Sequence, residues 1–161
     1  MRSAVLLGTG VLAGLLLAVV VGIMAAPGMM IRETVSPLGV DDTVARLQDT
    51  IKAAGWSLQS IERLDEKLQE KGQTGIRPTR LINICRADYA GPILRDDHAH
   101  KASVLMPCTI AVYQKEDGRT YVATMNAGLM GRLFGGVIAE IMGGPVARDQ
   151  DGFLAALTAK P

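Results

Sequence analysis

Between Ala4 and Ala26 the chain carries no charged residue, and Thr9 is the only polar side chain in the run. As a helix rising about 1.5 Å per residue, the run extends roughly 35 Å. That is enough to cross the roughly 30 Å hydrocarbon core of a bilayer with some tilt. A secretory signal peptide is the rival reading, because Met24-Ala25-Ala26 resembles a small-residue cleavage site. The run is longer than the about 7–15 apolar residues of a signal core, which favours a retained anchor. Residues 1–28 are therefore expected to be an N-terminal transmembrane anchor, or an uncleaved signal, and residues 29–161 a single domain.

Arg2 and the α-amino group precede the run, while Arg32 and Glu33 follow it. The positive-inside rule then places the short N-terminus in the cytoplasm. In a bacterium this means a single-pass protein of the inner membrane with its C-terminal domain in the periplasm. Gly10 and Gly14 have the G-x-x-x-G spacing that lets a second helix approach closely. Self-association or another membrane subunit would use that spacing. Glycine is also common in membrane helices, so the spacing alone assigns no partner.

Beyond Pro27-Gly28 the composition changes. The whole chain holds 17 Lys and Arg against 16 Asp and Glu, and Arg2 is the only charge before Arg32, so the remainder is balanced. A stretch of this size is one ordinary domain. Without a basic excess to neutralise phosphates it is not expected to bind nucleic acid.

Periodicity supplies the elements. Met29 to Val35 is expected as a strand, followed by a Ser36-Pro37-Leu38-Gly39 turn. Asp41 or Asp42 would cap a helix carrying Val44, Leu47, Ile51 and Ala54 and ending at Gly55. Trp56 to Leu64 and Thr79 to Cys85 read as strands, and Asp88 to Leu94 as a short helix or turn. Ala102 to Gln114 is expected as one strand with Val104, Met106, Cys108, Ile110 and Val112 on its core face. Asp117-Gly118 turns the chain back into Arg119 to Met125. A long apolar helix over Leu129 to Met142 would end at Gly143-Gly144-Pro145, and Asp149 or Asp151 would cap a last helix with Phe153, Leu154 and Leu157. Gly131, Gly135 and Gly136 inside the long helix imply tight packing on the sheet.

The run LINICRADYAGPIL, followed by VLMPCTIAVYQKEDGRTYVATMN, resembles the domain-of-unknown-function 302 family. The matching features fall on Cys85, Tyr89, Met106-Pro107-Cys108, Tyr113, Gly118 and Met125-Asn126, within roughly Arg32 to Leu157. The resemblance implies an α+β fold, an antiparallel sheet with helices on one face in β-α-β4-α order, similar to the TATA-binding-protein-like fold. It also implies homodimers, and it brings no established activity.

The stretch DDHAHKASVLMPC holds both histidines and one of the two cysteines. Four readings of Cys85 and Cys108 stand open. They are a structural disulfide favoured by an oxidising compartment, two inert buried thiols, a metal or haem site, and a redox-active or sulfur-carrying thiol pair. His98, His100 and Met106 are the weaker candidate ligands for the third. No CxxC or CxxCH is present, and His-Ala-His lacks helical ligand spacing; solvated surface is the ordinary state of such histidines. No cofactor is required by the sequence. Nor is there a G-x-S-x-G elbow, a P-loop or a dinucleotide fingerprint, so no catalytic residues are assigned. The expectation is a non-catalytic accessory or ligand-binding module. Its alternative is a thiol- or metal-dependent redox protein using Cys85 and Cys108, with a link to sulfur metabolism.

Overall fold

A computed structural model describes residues 14–22 and 28–158. Residues 14–22 are helical, and Leu15, Leu16, Leu17, Val19, Val20 and Val21 are all exposed. The rest of the expected anchor, with Gly10, lies outside the described residues. Nothing lies within 4 Å of where a Cβ would sit on Gly14. Among the described residues no helix is long and apolar enough to cross a membrane.

The domain is α+β. Strands β1 (Ile31–Ser36), β2 (Ser57–Arg63), β3 (Thr79–Cys85), β4 (Cys108–Gln114) and β5 (Thr120–Met125) form one sheet in the order β1-β5-β4-β3-β2. Every neighbouring pair is antiparallel. Helix α1 (Val40–Ala53) follows β1, and two short helices, α2 (Leu64–Gln69) and α3 (Ala87–Arg95), interrupt the later strands. The chain ends in α4 (Ala127–Phe134), α5 (Gly136–Ile141), a π turn (Met142–Val146) and α6 (Ala147–Thr158).

Alternation in β3 buries Arg80, Ile82 and Ile84 and leaves Leu81, Asn83 and Cys85 half-buried on the other face. Ile82 lies opposite Ile110, and Val112 opposite Val122. Val44, Leu47 and Ile51 of α1, with Phe153, Leu154 and Leu157 of α6, complete this core. Burying such aliphatic side chains contributes about 1.5–3 kcal/mol each before the entropy of ordering them is counted.

Five expectations need correction. Gly39, not an aspartate, occupies the N-cap of α1, and Asp41 and Asp42 lie in its first turn, where acids still favour the helix dipole. The strand expected from Ala102 begins only at Cys108. Its first part is a 3-10 segment (His100–Leu105), and Val104 is 83% exposed. Pro107 explains this, because β4 is an inner strand and proline brings no N–H to its ladder. The long C-terminal helix breaks at Gly135, whose φ of 71° favours glycine. Gly143-Gly144-Pro145 then passes through the π turn straight into α6, so Asp149 and Asp151 are interior residues rather than caps. The tight packing attributed to the glycines is present at Gly131, where an added Cβ would meet Gly143 N at 2.6 Å. The neighbour there is the π turn, not the sheet.

Candidate functional site

Because β3 ends at Cys85 and β4 begins at Cys108, with Ile84 opposite Cys108, both cysteines reach the same end of the sheet. The 3-10 segment, α3 and the π turn close over that end. They border a partly open cavity of about 30 Å³, lined among others by Cys85, Cys108, Met106, Met142, Arg86 and Tyr89. This is about a tenth of the roughly 300–1,000 Å³ of an ordinary small-molecule pocket. A haem does not fit it; an atom-sized occupant does.

Both thiols are free. The structural disulfide is thus not formed. Strand alternation gives the reason: Cys108 faces the core with Ile84, whereas Cys85 follows Ile84 and starts from the opposite face. The Cys108 thiol is pushed up to about 11, chiefly by burial and secondarily by Cys85 nearby. At neutral pH it is therefore a neutral thiol rather than a ready nucleophile. The Met106–Pro107 peptide that leads into Cys108 is cis.

A polar cluster forms the cavity wall. Asp149 Oδ2 accepts Trp56 Nε1 at 2.9 Å, Tyr89 OH at 3.1 Å and Arg86 Nη1 at 3.3 Å. Arg86 Nη1 also donates to Ala54 O at 2.8 Å, and its guanidinium carbon stands 4.5 Å from the centre of the Tyr89 ring. Burial first, then the hydrogen bond to Asp149, raises Tyr89 above the usual phenol range. Trp56, Tyr89 and Arg86 Nη1 are thus tied to one carboxylate, while the buried Arg86 Nε has no hydrogen-bond partner.

His98 and His100 are exposed and stand apart from the cysteines. His98 borders a separate surface depression of about 150 Å³ with Asp96, Lys101 and Phe134. His100 Nδ1 lies 2.9 Å from Leu94 O. Among the described residues no three His, Cys, Asp or Glu side chains gather at one point. Of the candidate ligands, the fold unites Cys85, Cys108 and Met106 and leaves the two histidines outside.

Sequence reasoning missed Met142, Arg86 and Tyr89 as residues that border the cavity with the cysteines, and Asp149 as the acceptor behind Arg86 and Tyr89. Arg86 and Tyr89 adjoin Cys85 in sequence, which is a usable signal. Met142 and Asp149 arrive from the far end of the chain, through the π turn that periodicity read as a helix end.

The sequence pattern of the family described as "Domain of unknown function DUF302" matches residues 32–157. No curated protein matches the chain. Among solved structures, it is similar to the "uncharacterized conserved protein DUF302 from Bacillus stearothermophilus", at 22% identity and a TM-score of 0.71. That similarity covers 80% of this chain and 98% of the other, and at such identity it speaks for the fold.

Proposed function

The chain belongs to the DUF302 family, and we propose that it serves as a membrane-anchored, periplasm-facing accessory module that binds a ligand in the sulfur-lined cavity. The observation carrying this reading is the cavity itself, bordered by four sulfur-bearing residues and otherwise mainly by apolar ones, with no carboxylate or imidazole in its lining. Binding needs such a place; acid–base catalysis would need a titratable group free to move a proton.

The uncharged run from Ala4 to Ala26 supports the anchor, as do the exposed leucines and valines of residues 14–22. An apolar helix that no other described residue covers is suited to lipid, and the Gly10 and Gly14 spacing would suit a second such helix. Self-association or docking to another membrane subunit belongs to this same reading.

The redox alternative draws on one observation, that two free thiols border one cavity. Against it stands the Cys108 thiol, held near 11, since thiol exchange proceeds through thiolate.

Fractionation tests the proposal. After alkaline extraction of membranes from cells making the full chain, the protein should stay in the pellet, and protease added to spheroplasts should digest its domain. Release by alkali, or protection of the domain in intact spheroplasts, contradicts the anchor and the orientation.

A further inference from the structure

Four sulfur-bearing residues border the cavity. Met106 stands two residues before Cys108, and both border the cavity. Met142, 5% exposed, opens the π turn and borders the cavity as well, and Cys85 lies at its edge. Three chain segments remote in sequence thus bring two thiols and two thioethers to a space of about 30 Å³.

We infer that this cavity is a binding site for a soft monovalent metal ion, Cu(I), held by the Cys108 thiolate and the thioethers of Met106 and Met142, with Cys85 as an accessory sulfur. The inference rests on the reading of the cavity as the module's binding site and names the ligand class. Thioethers and thiolates select Cu(I), whereas calcium and magnesium require oxygen donors. Zinc ordinarily takes four Cys, His or carboxylate ligands, and only two such groups border the cavity. Charge agrees: one cation and one thiolate make a neutral unit, the form that an apolar enclosure tolerates. Arg86 does not oppose the cation, because its guanidinium is neutralised by Asp149 at 3.3 Å. On binding, the Cys108 S–H bond breaks, an S–Cu bond forms and the proton leaves to solvent; no electron is transferred.

The test is an anaerobic titration of the reduced full chain in detergent with Cu(I), against a chromophoric Cu(I) chelator. One Cu(I) per chain is expected. Cys108→Ser should abolish retention. Met106→Leu and Met142→Leu conserve apolar volume and so keep the fold, yet each should weaken binding by at least about tenfold. The double variant Met29→Leu/Met30→Leu, at the exposed methionines, should bind as the wild type does. No retention by wild type, unchanged affinity in both cavity methionine variants, or loss only in the Met29/Met30 variant overturns the inference. Membrane pelleting of the same preparations separates the two claims. A pelleted chain without Cu(I) affinity sinks the metal site alone, and an alkali-released chain that binds Cu(I) sinks the anchor alone.

Discussion

Trp56 Nε1 donates a 2.9 Å hydrogen bond to Asp149 Oδ2 across 93 residues of chain, tying the entry to β2 to the helix that follows the π turn. The same carboxylate oxygen also holds Arg86 and Tyr89, so it fixes the wall of the cavity. Asp149→Ala should destabilise the domain by about 1–3 kcal/mol, since it leaves part-buried donors without an acceptor. Chemical denaturation measures that loss. Trp56 emission should shift to the red in the folded variant as its ring gains water.

At the other end of the sheet, Arg80 Nη1 lies 2.5 Å from Asp65 Oδ1, with side chains only 7% and 8% exposed. Burial alone would raise Asp65. The hydrogen bond from Arg80, a backbone hydrogen bond from Thr79 and the charge of Arg80 outweigh it and hold the carboxyl below its usual 3.8. A depressed folded pKa means stability that is present above about pH 4 and lost as pH falls through the lowered value. Asp65→Asn should cost about 1–3 kcal/mol at neutral pH, because it removes the buried counter-ion of Arg80 and leaves only the more exposed carboxylates of Asp41 and Glu66, at 3.2 and 3.5 Å. Denaturation curves at pH 7 and pH 3 should show that the gap between wild type and variant narrows in acid.

How much of this was legible follows from range. The alternating runs of β3 and β5 and the stripe of α1 were readable because their periodicity is local. The face of β3 was not, since Leu81 and Asn83 compete with Ile82 and Ile84 until the partner strands are known. Pro107 could have warned that β4 starts late. The arrival of Met142 at the cavity of Cys108, and of Asp149 behind Arg86 and Tyr89, had no local signal, because it depends on a π turn that glycines and Pro145 disguise as a terminus.

Gly131 and Gly128 make a matched pair in α4. A Cβ on Gly131 would meet backbone at 2.6 Å, whereas on Gly128 its nearest neighbours lie at 3.7 and 3.9 Å. Gly131→Ala should therefore destabilise by about 1–3 kcal/mol despite the gain in helix propensity. Gly128→Ala should be neutral or stabilising by up to about 1 kcal/mol. Thermal unfolding of the two variants side by side reads the difference.

On the open face of the sheet, the Tyr113 hydroxyl donates to Glu33, which Lys115 also contacts at 2.6 Å. Burial first, then this hydrogen bond and the charge of Glu33, push Tyr113 up to about 12. Phenolate absorbance should show one tyrosine titrating far above the ordinary 10.0. In Glu33→Gln that transition should move back toward the ordinary value. An unchanged titration would mean that the contact is absent in solution.

The central claim, that the cavity between the cysteines holds an atom-sized ligand, is tested most directly by native mass spectrometry of the full chain purified from membranes. Wild type should be compared with Ala102→Val, which adds two methyl groups at a fully buried cavity position. Alkylatable, unpaired thiols are expected in both proteins, with a single added mass of an ion on the wild type that is missing from the variant. A disulfide-linked wild type, or a wild type that like the variant carries no added mass, would contradict the claim.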